Sequence, residues 1–418
     1  MSSPPFSLPP TLSNQIFEQF DNDEETLLSC SLVSSTWRYA SQRVLFRSIV
    51  IYCDTRDKLG KFVAFVERSP HIRNFIEALH VLDEGVSYDG VDPITPQIIG
   101  SLLTNLPHLR KLVLQGVTLD NSALARMPSL LNRFDIEHLD FRPVVPYEED
   151  IAVLSFLGMF RRIHELRLSA MESDTGFGDD EGQTANIILP SIHNLWIDPQ
   201  VSLVILDVFL HILMASSRLR DLSQLTWLFF PYDTPSFYAF LQRIAPHLRS
   251  LEVKIIDWPD PDAAQWRQHI ALLSTYSALR TVHIRHDLAF DPTFEIARNW
   301  EDLIYTLNNL PTSVTELTIT FSLSLFDASD YRALTRGDQV EREILMLDWR
   351  ALDQALCRLV PRLRTPVKFN VCSFSEQWSY QPPNKGIDAL EWAIQHGLPT
   401  LSSVSMIGPI KECKPDHY

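Results

Sequence analysis

Large apolar side chains arrive in three short bursts over the first fifty residues, separated by polar breaks. Leu12, Ile16, Phe17 and Phe20 follow Pro9-Pro10 at helical spacing. Proline suits a first helical turn, where its missing N–H costs nothing. Asp21-Asn22-Asp23-Glu24 then breaks the pattern and supplies a cap and negative charge for a second helix, which carries Leu27, Leu28, Leu32 and Val33. Ser34 or Ser35 can cap a third helix bearing Trp37, Ala40, Val44 and Leu45. The spacing therefore predicts a three-helix motif over residues 7–50. So small a unit buries little by itself, which leaves apolar surface for a partner.

Beyond residue 50 the pattern changes to a recurrent phrase, a turn followed by L/I-x-x-L-x-L/I. It appears at Leu109–Leu114, Ile163–Leu168, Ile192–Ile197, Leu248–Val253, Leu279–Ile284, Val314–Ile319 and Leu363–Phe369. Weaker copies end at Leu79-His80-Val81, Leu139-Asp140-Phe141, Leu225-Thr226-Trp227 and Val404-Ser405-Met406. The key apolar positions are Leu79, Leu112, Leu139, Leu166, Leu195, Leu225, Leu251, Val282, Leu317, Val367 and Val404. Most are separated by about 26–35 residues, at or beyond the upper end of the leucine-rich range of about 20–29. Between them lie stretches with helical periodicity: Thr95–Leu106, Glu149–Arg161, Leu203–Ser216, Ser236–Ala245, Asp262–Tyr276, Thr293–Leu307, Trp349–Leu359 and Gly386–His396.

Each unit thus reads strand, loop, helix, turn. The expected fold is α/β: a leucine-rich-repeat-like solenoid over 51–409, with parallel strands on a concave face and helices on a convex face. Residues 1–6 are expected to be a disordered N-terminus and 410–418 a C-terminal tail. A doubly wound open sheet is disfavoured, because it needs helices on both faces and no Gly-rich phosphate loop is present.

The N-terminal residues resemble the F-box family, and the whole chain resembles fungal-type F-box proteins with such a solenoid. The matching elements are Leu8-Pro9, Leu12, Ile16, Leu27-Leu28, Leu32-Val33, Trp37-Arg38, Ala40 and Leu45-Phe46. Thr11 and Ser34 depart from the usual glutamate and cysteine, but neither is an apolar anchor. The resemblance implies docking to a Skp-type adaptor, and through it a cullin, by Leu8, Pro9, Leu12, Ile16, Leu27, Leu28 and Val33. Trp37 would hold the helices together. A bare helical cap on a repeat array is the compatible structural reading.

Composition narrows the remaining choices. The net charge of −16 disfavours nucleic acid and anionic membrane, while permitting a target with basic surface. Five scattered cysteines without a C-x-x-C pair read as reduced thiols, and the N-terminus does not read as a signal peptide. A cytoplasmic or nuclear location is expected. The tight pair in His283-x-x-His286-Asp287 starts in an expected strand and has no third ligand at a convincing spacing, so no metal and no cofactor is expected. No motif of a nucleophile, phosphate loop or metalloprotease occurs, and the protein is expected to be non-catalytic.

The irregular segments follow the strand ends: Asp83–Pro93, Phe141–Asp150, Met171–Asn186, Phe230–Pro235, Asp257–Ala263, Asp287–Pro292, Ser322–Gln339 and Ser373–Lys385. Insertions at one point of a repeat collect on one edge. That edge would present Tyr88, Phe177, Tyr232, Trp258, Trp378 and Tyr380 in an acidic surround, a surface suited to binding a target protein. The function expected is substrate recognition for a Skp–cullin–F-box ubiquitin ligase. The alternative is a non-degradative interaction scaffold using the same solenoid.

Overall fold

The computed structural model describes residues 10–21, 23–53, 58–83, 94–119, 128–144, 152–169, 187–198, 201, 203–228, 235–255, 263–290, 296–325, 337–373 and 384–413. The chain divides into two compact units. One comprises Met1–His193 with Gln200–Arg218, the other Asn194–Pro199 with Leu219–Tyr418. The described strands number twelve and follow chain order, with parallel pairing.

The first unit opens with helices α1 (Pro10–Phe17), α2 (Glu24–Val33) and α3 (Ser35–Leu45). Strand β1 (Ser48–Tyr52) follows at once, inside the segment expected to be wholly helical. The carbonyl of Arg47 accepts from the N–H groups of both Glu77 and Ala78, at 2.9 Å each, which fixes the start of β2 (Ala78–Leu82) beside the end of α3. Helix α4 (Lys58–Arg68), absent from the expected helices, lies between β1 and β2 and buries Leu59 and Val66. Then come α5 (Pro96–Asn105), β3 (Lys111–Thr118), β4 (Phe134–Val144), α6 (Ala152–Leu157) and β5 (Phe160–Leu168). Helix α6 ends at Leu157, before the expected Arg161, because Phe160 already belongs to β5. Strand β6 (Ser191–Ile197) starts in this unit, and helix α7 (Leu203–Ala215) belongs to it.

The periodic positions read from the sequence are the register partners of this ladder. Leu79 lies opposite Leu112, Leu112 opposite Leu139, and Leu139 opposite Leu166. All four are buried, as is the next inward row of Val81, Leu114, Phe141 and Leu168. Phe156 of α6 stacks on Phe141 at 5.5 Å, so a helix covers this face.

The second unit repeats the scheme with β7 (Gln224–Leu228), α8 (Pro235–Ile244), β8 (Ser250–Ile255), α9 (Ala263–Leu272), β9 (Thr281–Phe290), α10 (Ile296–Asn308) and β10 (Glu316–Leu325). It closes with α11 (Gly337–Met346), α12 (Trp349–Cys357), β11 (Val367–Ser373), α13 (Asn384–Gly397), a short turn of helix (Pro399–Ser403) and β12 (Ile407–Cys413). Leu195, Leu225, Leu251, Val282 and Leu317 form the buried register row. Phe237 of α8 lies 4.6 Å from Trp227, and Trp300 of α10 lies 5.9 Å from Phe321, both on the apolar face. Parallel strands covered on both faces read as continuous apolar runs, but these strands alternate. Leu251-Glu252-Val253-Lys254 and Val282-His283-Ile284-Arg285 each send one set of side chains to the helices and the other to the opposite face.

Several expectations need correcting. Val404 is not the last register position: it is exposed, Ser405 is left-handed at φ 55°, and Ile407 pairs with Val367. Strands β9 and β10 run on to Phe290 and Leu325, through residues expected to begin irregular segments at Asp287 and Ser322. Helix α11 begins inside the expected irregular stretch Ser322–Gln339.

Candidate functional site

The three N-terminal helices are held by a small apolar centre. Phe17, Leu27 and Ala40 are buried together, with Cys30, Trp37, Val44 and Leu45 packed against them. The rings of Phe17 and Trp37 meet edge to face at 5.6 Å, so Trp37 joins α1 to α3. Polar contacts set the helix entries. The Asp23 carboxylate accepts the Thr26 N–H at 3.0 Å, and this bond holds its pKa below the usual carboxylate value. The Ser34 hydroxyl accepts the Trp37 N–H at 3.2 Å, which starts α3 directly after α2. Arg38 Nε donates to the Ser31 carbonyl at 3.2 Å and ties α3 back to α2. Tyr39 packs edge-on to Phe75 at 5.0 Å, linking α3 to the residues just before β2.

This packing leaves a row of apolar side chains uncovered by the described residues. Leu12 and Ile16 lie one turn apart on α1, with Phe20 beyond them, and all three are exposed. Leu28 and Leu32 lie one turn apart on α2, at 51% and 80% exposure, and Val33 is 65% exposed. Leu27 is different. At 1% exposure it belongs to the module's centre, although the expected adaptor set includes it. Phe20 and Leu32 lie in this row but outside the expected adaptor set, and Leu32 is the most exposed of the row. Its signal was present in α2, which carries leucines on opposite faces and so cannot bury all of them in one small core. Leu8 and Pro9 lie outside the described residues, as do the expected target contacts Tyr88, Phe177, Tyr232, Trp258, Trp378 and Tyr380.

The second unit carries a charged network on the sheet face opposite the helices. Glu252 lies opposite His283, and Lys254 opposite Arg285. Two cations directly across a strand pair repel. They separate here: Arg285 pairs with Glu252, and Lys254 Nζ reaches Asp287 at 2.9 Å. The Arg285 guanidinium also lies over the Trp196 ring at 5.8 Å. His283 Nδ1 is 3.3 Å from Glu252, and its Nε2 is 2.7 Å from the Thr320 hydroxyl, which accepts from Asn370 at 3.1 Å. Burial raises the Glu252 pKa, but the His283 and Arg285 contacts outweigh it and the net shift is downward. Asp287 is driven up by burial, against the pull of Lys254.

His286 does not share this face. It lies in β9 and not in a loop, fully buried on the helix side, with its ring 5.9 Å from Trp300 and 6.1 Å from Phe321. His283 and His286 therefore sit on opposite faces of one strand and cannot hold the same ion. Among the described residues no group of three or more His, Cys, Asp or Glu side chains is placed to hold a metal.

The F-box domain family matches residues 6–49, the segment that forms α1 to α3. F-box domains typically bind Skp-type adaptors within cullin complexes, which implies a general role in substrate recognition for Skp–cullin–F-box ubiquitin ligases. No curated protein matches the chain.

Proposed function

We propose that the protein is a fungal-type F-box substrate receptor of a Skp–cullin–F-box ubiquitin ligase. Leu8 and Pro9, together with the row Leu12, Ile16, Leu28, Leu32 and Val33, dock the Skp-type adaptor. The repeats that follow are a leucine-rich-repeat-like solenoid whose loop edge captures a protein target, with Tyr88, Phe177, Tyr232, Trp258, Trp378 and Tyr380 among the contacts. The receptor catalyses nothing. It raises the effective concentration of the target's lysines near the charged conjugating enzyme. It works in the cytoplasm or nucleus and binds neither nucleic acid nor membrane.

The observation that carries the docking half is the exposed apolar row of α1 and α2, within the segment that matches the F-box domain. Five large apolar side chains in water favour a partner that buries them. The solenoid reading is supported by parallel strand pairing and by the buried register row at repeat spacing.

The test mixes the purified full-length chain with a Skp-type adaptor and follows both by size-exclusion chromatography. Co-elution is expected for the wild type, and separate elution for the double variant Leu28→Asp, Leu32→Asp. Co-elution of the folded double variant would reject the docking face.

A further inference from the structure

We infer that the open edge of β1 pairs with β1 of a second copy of the chain, antiparallel and centred on Val50. This pairing is independent of the function proposed above. Strand β1 is terminal in the sheet order and pairs only with β2. The Arg47 carbonyl accepts from the Ala78 N–H at 2.9 Å, and the Cys53 N–H donates to the Leu82 carbonyl at 2.7 Å. Backbone groups alternate in direction along a strand, so Arg47, Ile49, Ile51 and Cys53 turn theirs to β2. Those of Ser48, Val50 and Tyr52 point outward. Among the described residues, none outside β2 bonds to the backbone of these three. Their side chains lie on the face away from the buried Ile51, and all three are exposed.

The two terminal strands differ in how they treat a newcomer. Strand β12 carries Gly408-Pro409, a register shift and the exposed Lys411, and each discourages a further strand. Strand β1 reads Ser-Ile-Val-Ile-Tyr, which is uncharged, rich in β-branched and aromatic residues, and free of those devices. It is also complementary to itself. Turned antiparallel about Val50, Ser48 meets Tyr52 of the copy and Val50 meets Val50, so outward-directed backbone groups face one another throughout. The same register sets Ile49 beside Ile51 of the copy. It carries the two Arg47 side chains to opposite ends of the pair, where a parallel arrangement would put these cations side by side. So short a contact is a small interface, and the pairing is weak and reversible.

The experiment follows the purified full-length chain by sedimentation velocity across the micromolar range, with residue-resolved amide exchange at the lowest and highest concentrations. The wild type is expected to move from one chain toward two as concentration rises. Val50→Lys places like charges at the twofold centre and should stay monomeric. So should Val50→Pro, which removes an outward N–H and leaves the bonds to β2 in place. The double variant Leu28→Asp, Leu32→Asp should associate like the wild type, which separates this edge from the docking row. The N–H groups of Ser48, Val50 and Tyr52 should exchange more slowly in the concentrated sample, while those of Ile49 and Ile51 should not change. A wild type that stays monomeric throughout would overturn the inference and leave the edge to a strand from another protein. So would association that persists in the folded Val50→Lys variant, or that disappears in Leu28→Asp, Leu32→Asp.

Discussion

Truncating Leu32 to alanine separates binding from folding. At 80% exposure the side chain contributes little to the isolated module, so the folded state should change by less than about 0.5 kcal/mol. Covering it by the adaptor removes nearly all of that surface from water. Leu→Ala deletes three carbons at about 0.8 kcal/mol each, which gives about 2 kcal/mol after allowing for the part already buried. At about 1.4 kcal/mol per tenfold, the adaptor Kd should weaken by about 25-fold. Titration calorimetry against a purified Skp-type adaptor measures this, with a thermal melt as the folding control. The neighbouring Leu27→Ala should do the reverse. It empties the module's centre and costs about 2–5 kcal/mol of stability, so its effect on binding follows unfolding. An unchanged Kd for Leu32→Ala, or Leu32 and Leu27 variants with the same folding defect, would refute the division into an inner and an outer face.

Three further outcomes follow from the repeats. Gly116 sits in β3 at φ 70°, and a Cβ there would come within 2.3 Å of the Asp83 carbonyl oxygen, so Gly116→Ala should destabilise its unit by about 1–3 kcal/mol in urea unfolding. The Asp353 carboxylate is buried and accepts the N–H groups of Thr400 and Leu401 at 3.0 Å each, capping the helical turn Pro399–Ser403. Asp353→Ala should cost about 2–3 kcal/mol and raise amide exchange at those two positions first; unaltered exchange would deny the cap. Burial lowers the His286 pKa from 6.5 to about 3, and neither ring nitrogen has a hydrogen-bond partner among the described residues. Its folded pKa is depressed, so the neutral ring's contribution is complete above 6.5 and is lost as pH falls toward 3, at up to about 1.4 kcal/mol per pH unit. His286→Phe should flatten stability against pH across that window, and an unchanged slope would show that another group sets it.

In each unit the ladder was legible because its buried row, Leu79 to Leu166 in the first and Leu195 to Leu317 in the second, is made of large aliphatic residues at repeat spacing. A row of this kind reports register as well as strand position. Legibility failed where chemistry imitates a turn. Ile407-Gly408-Pro409-Ile410 contains the two commonest turn residues, yet it forms the terminal strand β12, where a proline removes no needed ladder bond. Val404-Ser405-Met406 looked like the better strand and is not one. In β9 the run Arg285-His286-Asp287 reads as a polar loop, because nothing local reveals that His286 enters an aromatic pocket while its neighbours pair with Glu252 and Lys254. In α2 two adjacent leucines are equivalent to any pattern count. Only the packing of Phe17 and Ala40 decides that Leu27 turns inward and Leu28 outward.

One measurement tests both ends of the proposed bridge from adaptor to target. Cells with the proteasome blocked express either the full-length chain or Leu28→Asp, Leu32→Asp, and the chain is purified with its bound proteins. Substitution is preferable to removing residues 1–50, which would cut into β1. The predicted result is that the wild type recovers the adaptor, the cullin and a ubiquitin-conjugated target, while the variant recovers the same target without adaptor, cullin or conjugated ubiquitin. A target whose ubiquitination is the same in both, or a wild-type chain that recovers no adaptor, would contradict it.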